Sequence, residues 1–106
     1  MKNWIIEFLD ETVEAEFETL PADVRAKTIH ISFLIREFGL TNIGLPYIKH
    51  IQDKIWEVRA LQGRSLYITA TGKRIIILRC FIKKSNKLPR KEIKIALQRA
   101  KEIQNG

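Results

Sequence analysis

Arginine and lysine residues interleaved with aromatic residues are the part of this sequence best suited to chemistry. They occupy residues 56–84, at Trp56, Arg59, Arg64, Tyr67, Lys73, Arg74, Arg79, Phe81, Lys83 and Lys84. Guanidinium groups form paired hydrogen bonds with phosphate oxygens, and aromatic rings stack on nucleic-acid bases. An arginine in such a place also stabilises negative charge that develops on a phosphate in a transition state. The pattern therefore predicts a surface that binds nucleic acid.

The sequence offers little for other kinds of catalysis. It contains one cysteine, Cys80, and two histidines, too few for an internal disulfide or a Cys/His metal framework. Cys80 stands in an apolar segment with no base beside it, so we expect a packed side chain. Glycine-rich phosphate-binding loops, metalloprotease helices and serine-hydrolase elbows do not occur in the sequence. We predict neither a metal nor a cofactor.

Charge is divided unequally between the two parts of the chain. Residues 1–45 contain four lysine and arginine residues against eight acidic ones, a net charge of −4. Residues 46–106 contain fifteen against four, a net charge of +11, and together they give the total of +7. A segment this cationic attracts phosphate-rich partners through electrostatic steering and counterion release. The second part is suited to nucleic acid or the ribosome, and the acidic first part to a protein partner.

Hydrophobic periodicity and turn residues predict the elements that must position these cations. Strand patterns cover residues 3–9, 55–60, 64–71 and 73–82, and helical patterns cover residues 11–19 and 21–38. A last helix follows Pro89. Residues 40–53 indicate a loop with a short extended piece, and residues 83–88 a basic loop. The run Ile75–Leu78 has no polar alternation, which is typical of a central strand buried on both faces.

The order of these elements predicts an α+β fold in one domain, residues 1–106. We expect a small, mostly antiparallel sheet with an N-terminal helical hairpin packed on it and a C-terminal helix. The longest apolar run has four residues, far short of the roughly 20 that a membrane span needs. The N-terminus lacks the pattern of a signal peptide. We therefore expect a cytoplasmic protein without membrane contact.

Motifs along most of the chain follow a known order and spacing. Residues 38–40, 44–49 and 55–59 follow F-G-L, G-x-P-Y-x-K and L-W-E-L-R, and residues 64–67 follow R-x-L-Y. Residues 76–89 are similar to I-x-L-L-H-x-F-x-K-K-T-x-K-T-P, and the helix after them matches E-I-x-x-A-x-x-R at Glu92, Ile93, Ala96 and Arg99. Over residues 3–104 the sequence thus resembles the HigB-like toxins of the RelE/ParE superfamily.

This resemblance implies the RelE-like fold and the toxin of a type II toxin–antitoxin system. Such a toxin enters the ribosomal A site and cuts the bound mRNA without a metal. The ribose 2′-OH attacks the adjacent phosphate, and the protein supplies positioning, charge stabilisation and proton transfer. The implied partners are the ribosome, mRNA and a helix-turn-helix antitoxin of the HigA type. That antitoxin is encoded by the adjacent gene and forms a heterotetramer with the toxin.

The resemblance also assigns roles to particular residues. It places the principal phosphate-binding arginine at Arg64, a second cation at Lys84, and a contact with the mRNA backbone at Arg59. Together with the charge pattern, it gives the catalytic candidates Arg64, Lys84, Arg79 and Lys83. The candidates for substrate binding are Arg59, Lys54, Tyr67, Lys73, Arg74, Phe81, Lys87 and Arg90.

Two departures from the family pattern affect the acid–base step. Most of these toxins have a histidine where this chain has Arg79, which stays protonated and cannot act as a base at neutral pH. Many relatives also place a tyrosine near the C-terminus, whereas the last tyrosine here is Tyr67. The identity of the general base therefore stays open. So do two alternative functions, a ParE-type inhibitor of DNA gyrase and a non-catalytic binder of RNA or the ribosome.

Overall fold

The computed structural model describes residues 3–105, which form a five-stranded sheet and three α-helices. The strands are β1 (Ile5–Phe8), β2 (Ile48–Gln52), β3 (Ile55–Ala60), β4 (Gly63–Ala70) and β5 (Arg74–Ile82). The helices are α1 (Glu11–Glu18), α2 (Ala22–Phe38) and α3 (Arg90–Asn105), with a short 3-10 helix at Leu40–Asn42. The predicted α+β class is confirmed. Within residues 3–105, no helix combines the length and the apolar character that crossing a bilayer requires.

Local signals in the sequence explain where the first two helices begin and end. The Asp10 carboxylate caps α1 by accepting a hydrogen bond of 3.0 Å from the Val13 N–H. Pro21, which has no N–H to satisfy, stands directly before α2. Gly39 follows α2 with a φ of +87°, a conformation that glycine adopts without steric cost. The predicted bounds of both helices are therefore correct to within one residue.

The sheet has the strand order β1-β5-β4-β3-β2 and is mixed rather than antiparallel throughout. The β2–β3, β3–β4 and β4–β5 pairs are antiparallel, whereas β1 runs parallel to β5 with Ile5 opposite Arg74. Three of the four strand pairs are antiparallel, so the prediction of a mostly antiparallel sheet is confirmed, and the exception lies at the β1 edge. Strand β4 pairs with one edge of β5. Strand β1 pairs with the other edge and runs in the same direction as β5. Strand β2 lies inside residues 40–53, where a loop with a short extended piece was predicted.

Both faces of the sheet are covered, and each has its own apolar core. On one face, α1 and α2 pack over Val58, Tyr67 and Ile77. On the other, α3 packs over Leu66 and Ile76. Because β4 and β5 are covered on both sides, they carry apolar residues at consecutive positions. The predicted burial of the central strand is confirmed, since residues 75–78 are all buried.

The two ends of the sheet are built differently. One end holds the β3–β4 turn and the last residues of β5, and the other holds the β2–β3 and β4–β5 turns. At the first end, β4 begins at Gly63, where an added Cβ would stand 2.2 Å from the Val24 Cγ1 of α2. Only glycine therefore allows β4 to approach α2 so closely. We call this first end, which holds the β3–β4 turn and the last residues of β5, the turn end of the sheet.

Candidate nucleic-acid interface

Three of the predicted site residues lie side by side across the sheet at its turn end. Arg59 of β3 pairs in register with Arg64 of β4, and Arg64 pairs with Phe81 of β5. Residues paired across neighbouring strands point to the same face, and Phe81 belongs to the core beneath α3. The row therefore lies on the α3 face. We call Arg59, Arg64 and Phe81 the arginine row.

Arg64 is held firmly in the middle of this row. Its Nη1 donates hydrogen bonds of 2.8 Å to the backbone carbonyl oxygens of Leu61 and Gly63, which belong to the β3–β4 turn. Only 7% of the residue is exposed. Burial lowers the pKa of Arg64, Glu57 raises it and Arg59 lowers it, but an arginine stays protonated at any physiological pH. The structure thus fixes a positive charge in one orientation.

Glu57 is the residue of this site that the sequence analysis missed. Its carboxylate is buried, with 3% of the residue exposed. One oxygen lies 3.6 Å from the Arg59 Nε and the other 3.7 Å from the Arg64 Nε. Two arginines side by side repel each other, and the carboxylate between them offsets that repulsion. The sequence did contain a signal that Glu57 belongs to this site. Glu57 and Arg59 are two residues apart, and residues two apart in a strand share a face.

Lysines extend the positive charge beyond the arginine row. The Lys83 N–H donates a 2.8 Å hydrogen bond to the Gln62 carbonyl, so the end of β5 is tied to the β3–β4 turn. Lys84 and Lys87 are exposed in the segment that follows, and exposed Arg90 begins α3. The predicted basic loop thus leads away from the turn end and into the last helix.

Arg79 belongs to a different group of charges. Its Nε donates to Glu92 at 2.7 Å and its Nη1 to Glu16 at 2.7 Å, while its Nη2 reaches the second Glu92 oxygen at 3.4 Å. Arg99 forms a second ion pair with Glu16, with 2.9 Å between Nη2 and Oε2, and donates to the Leu78 carbonyl at 2.7 Å. We call Arg79, Arg99, Glu16 and Glu92 the four-charge network.

The four-charge network corrects the placement of Arg79 among the catalytic candidates. Hydrogen bonds to Glu92, and then to Glu16, outweigh burial and raise the pKa of Arg79. Burial alone would raise the pKa of Glu16, but hydrogen bonds from Arg99, the Cys80 N–H and Arg79 keep it below its ordinary value. Since all three guanidinium nitrogens of Arg79 meet carboxylates, this side chain joins α1, β5 and α3.

The structure also corrects the position of Tyr67. This residue is completely buried, on the face of the sheet that α1 and α2 cover, so it cannot meet a substrate beside the arginine row. Burial raises the pKa of the Tyr67 hydroxyl. Tyr67 follows Arg64 by three residues, and an odd spacing in a strand puts two side chains on opposite faces.

Three further candidates lie at the other end of the sheet. Lys54 belongs to the β2–β3 turn, Lys73 belongs to the β4–β5 turn, and Arg74 is the first residue of β5. Arg74 is paired in register with Ala70, which lies six residues beyond Arg64 in β4, or about 20 Å along the strand. The Arg74 Nη2 is 2.6 Å from the Glu7 carboxylate of β1. The structure therefore does not bring these three cations together with the arginine row.

Cys80 is the packed side chain that its sequence context predicts. It is buried, and its sulfur is 3.5 Å from the Ser65 hydroxyl. Burial raises the pKa of the thiol to about 11, so the nucleophilic thiolate is scarce at neutral pH. Within residues 3–105, no group of three or more histidine, cysteine, aspartate or glutamate side chains could hold a metal ion.

Comparisons with known proteins identify a family and similar solved structures. The model of the family described as "Phage derived protein Gp49-like (DUF891)" matches residues 15–101, most of the chain. A search of curated proteins gives no match. Among solved structures, the RelBE2 toxin–antitoxin complex of Mycobacterium tuberculosis is similar with a TM-score of 0.54 and 18% identity. That similarity covers 80% of this chain and 97% of that chain.

Two other solved structures have the same fold. The archaeal RelE–RelB complex of Pyrococcus horikoshii OT3 gives a TM-score of 0.61 at 11% identity, over 76% of this chain and 96% of that chain. A double mutant of the E. coli toxin RelE in the free state gives 0.58 at 19% identity, over 92% and 97%. The sheet and its covering helices thus form the RelE-like fold. The chain belongs to the phage derived protein Gp49-like family and has the fold of the RelE toxins.

Proposed function

We propose that this protein is the toxin of a toxin–antitoxin system and cleaves mRNA in the ribosomal A site. The observation that carries the proposal is the arginine row, in which Arg59 and Arg64 lie in register with Glu57 buried between them. Two arginines with one carboxylate leave an excess positive charge. A phosphate group of RNA has the charge and the oxygen geometry to satisfy it.

In the proposed reaction, the ribose 2′-oxygen attacks the adjacent phosphorus and the bond from phosphorus to the leaving 5′-oxygen breaks. Negative charge grows on the two non-bridging phosphate oxygens, where guanidinium groups stabilise it. Arg64 is suited to this because its orientation is fixed before RNA arrives. Arg59, whose side chain is 31% exposed, holds the neighbouring backbone, and Glu57 positions both arginines.

Lys83 and Lys84 continue the RNA surface away from the reacting phosphate. Lys83 is half-buried beside the β3–β4 turn and Lys84 is exposed, so Lys84 is suited to a neighbouring phosphate. Lys87 and Arg90 follow on the same path toward α3 and add long-range attraction. Such contacts to phosphate strengthen binding in a salt-dependent manner without reading sequence.

The proposal includes an antitoxin that inhibits the toxin by binding it. Two of the similar solved structures are complexes of a RelE-type toxin with its antitoxin, which supports a protein partner here. In line with the HigB-like motifs, we propose a helix-turn-helix antitoxin of the HigA type, encoded by the adjacent gene, in a heterotetramer. The exposed acidic residues of α1 suit contact with this protein rather than with RNA.

Cleavage of mRNA on purified ribosomes tests the proposed function. We expect the protein to produce breaks at A-site codons, and Arg59→Ala to reduce the rate of cleavage about tenfold. Lys101→Ala is the matched control, because it removes one exposed positive charge from α3, and it should cleave at the normal rate. Loss of DNA supercoiling by gyrase instead would establish the ParE-type function. Binding of ribosomes without any break would establish the non-catalytic one.

A further inference from the structure

A cavity of about 430 Å³ lies on the face of the sheet opposite the arginine row. Its lining includes Tyr67 and Thr69 of β4 and Trp56 of β3, on the face that α1 and α2 cover. Ile43, just after the 3-10 helix, and Trp4, just before β1, contribute further lining. A volume of a few hundred Å³ and a mainly apolar lining are typical of sites for small molecules.

Tyr67, one of the residues that line this cavity, has a buried hydroxyl group. Tyr67 is 0% exposed, and among the described residues its Oη has no hydrogen-bond partner. A buried polar group without a partner costs about 1–3 kcal/mol, which a phenylalanine in the same place would avoid. Because burial keeps the hydroxyl protonated, it can donate a hydrogen bond. The group is therefore a donor suited to a ligand with an acceptor atom.

Two indole rings and the absence of charge further define the ligand. Trp4 and Trp56 both line the cavity, and Trp56 is 38% exposed, so the cavity is accessible from outside. The ring of His50 packs against that of Trp56, with 4.9 Å between their centres. None of the described lining residues is charged, so nothing there would bind a phosphate or an ammonium group. Indole rings offer flat apolar surfaces on which planar rings stack.

We propose that this cavity binds a neutral planar heterocycle of the nucleobase class, with a ring nitrogen or carbonyl oxygen accepting a hydrogen bond from Tyr67. The base lies against the indole rings of Trp4 and Trp56. The sugar of a nucleoside, if present, extends toward the opening beside Trp56. This site is separate from the arginine row, because the β-sheet stands between them.

Titration with nucleosides, followed by NMR, tests the proposal. The chain contains two tryptophans, so its two indole N–H signals report on the two rings of this cavity. We expect adenosine, guanosine, cytidine or uridine to shift both signals in a saturable manner. If none of the four does so at millimolar concentration, the proposal is wrong.

Substitution of the donor makes the test specific. Tyr67→Phe should weaken binding of the active nucleoside about tenfold and leave the melting temperature unchanged or higher, because it removes an unpartnered hydroxyl. Tyr47→Phe is the matched control, since Tyr47 is half-buried beside Lys27 and outside the cavity lining, and it should keep the affinity. Equal affinity of Tyr67→Phe and the unchanged protein would overturn the proposal.

A second variant, Trp4→Ala, tests the same cavity if the Tyr67→Phe protein does not fold. Trp4→Ala removes one ring from the cavity, so it should weaken binding while the Trp56 signal still reports it. An undiminished affinity would again overturn the proposal.

Single-stranded trinucleotides that contain the base of the bound nucleoside show whether the natural ligand is a base of RNA or a free metabolite. Equal or tighter binding of the trinucleotide identifies a base of RNA as the ligand, and binding of the nucleoside alone identifies a free metabolite; both support the site.

Discussion

The arginine row and the four-charge network place arginines next to glutamates in the same small sheet, yet they differ in charge balance. In the row, two arginines share one carboxylate, with 3.6 and 3.7 Å between nitrogen and oxygen. In the network, two arginines meet two carboxylates at 2.7–2.9 Å. The network is therefore neutral, whereas the two arginines of the row and Glu57 together have a net charge of +1.

The difference separates a structural role from a binding role. The network joins parts of the chain that are far apart in sequence, namely α1, β5 and α3, and both of its arginines hydrogen-bond to its carboxylates. The row joins neighbouring strands that already pair through their backbones, and the Arg64 Nε has no hydrogen-bond partner among the described residues. Excess charge held in place at the end of a sheet is suited to an anionic ligand. Balanced charge is suited to stability.

Arg64→Ala is expected to have the largest effect, because it removes both the proposed phosphate ligand and a partner of the buried Glu57. Cleavage on ribosomes should fall about 10²–10³-fold, equivalent to ~3–4 kcal/mol of transition-state stabilisation. The free energy of unfolding should also fall by about 2–3 kcal/mol, since Glu57 and two turn carbonyls lose a partner. Arg64→Lys separates the two effects by keeping the charge and losing the forked geometry. A normal cleavage rate in either variant would contradict the role of the row.

Arg79→Ala is expected to affect stability but not RNA cleavage. It leaves Glu16 and Glu92 short of a partner and should lower the free energy of unfolding by about 2–4 kcal/mol, measured by thermal or urea unfolding. At a temperature where the variant is folded, its rate of cleavage should be unchanged. Arg74→Ala is the control, because its ion pair with Glu7 is exposed to solvent and contributes little to stability. A strong loss of cleavage by folded Arg79→Ala would remove the distinction between the two groups.

Arg59→Ala is expected to change RNA binding and its salt dependence while altering stability by less than about 1 kcal/mol. Arg59 is more exposed than Arg64, so its loss removes one phosphate contact. The slope of log affinity against log salt concentration should decrease by about one, as measured by binding to RNA at several ionic strengths. Lys101→Ala should leave the slope as it is. An unchanged slope in Arg59→Ala would place the RNA elsewhere.

Acid pH should weaken the network by a smaller amount. The pKa of Glu16 is lower in the folded protein than its ordinary value of 4.5, because Arg99, the Cys80 N–H and Arg79 donate hydrogen bonds to it. The stability that Glu16 contributes is therefore complete above that value and is lost as the pH falls through the folded pKa. Melting temperatures measured from pH 7 to pH 3 should decrease less in Glu16→Gln than in the unchanged protein. Parallel decreases would show that Glu16 does not carry this dependence.

The sequence predicts most of the elements because their signals are local, as with the Asp10 cap and the Gly39 stop. It does not predict the parallel β1–β5 pair, because no local signal selects a partner 69 residues away. Arg64 and Arg79 look alike in sequence, since each interrupts an apolar strand. What distinguishes them is the tertiary neighbourhood of Arg79, which includes Glu16, a residue 63 positions away.

Because β5 contains a bulge, strict alternation of its side chains does not predict the face of the sheet on which each residue lies. Leu66 is paired with Arg79 and Tyr67 with Ile77, so one extra residue of β5, Leu78, lies between these two pairs. Both Leu78 and Arg79 are consequently on the α3 side of the sheet, although they are consecutive. The cations of the arginine row follow simple alternation within β3 and β4, and for that reason the sequence could indicate them.

The pairing of β1 with β5 determines when this protein can complete its fold during synthesis. Strand β1 leaves the ribosome well before its partner, whose paired residues begin at Arg74. The four-charge network has the same property, since it needs α1 near the start and α3 near the end. Contacts of such long sequence separation form late and slow the folding of a small domain. We therefore expect a nascent chain that stops before α3 to lack both the β1–β5 pair in its final packing and the four-charge network.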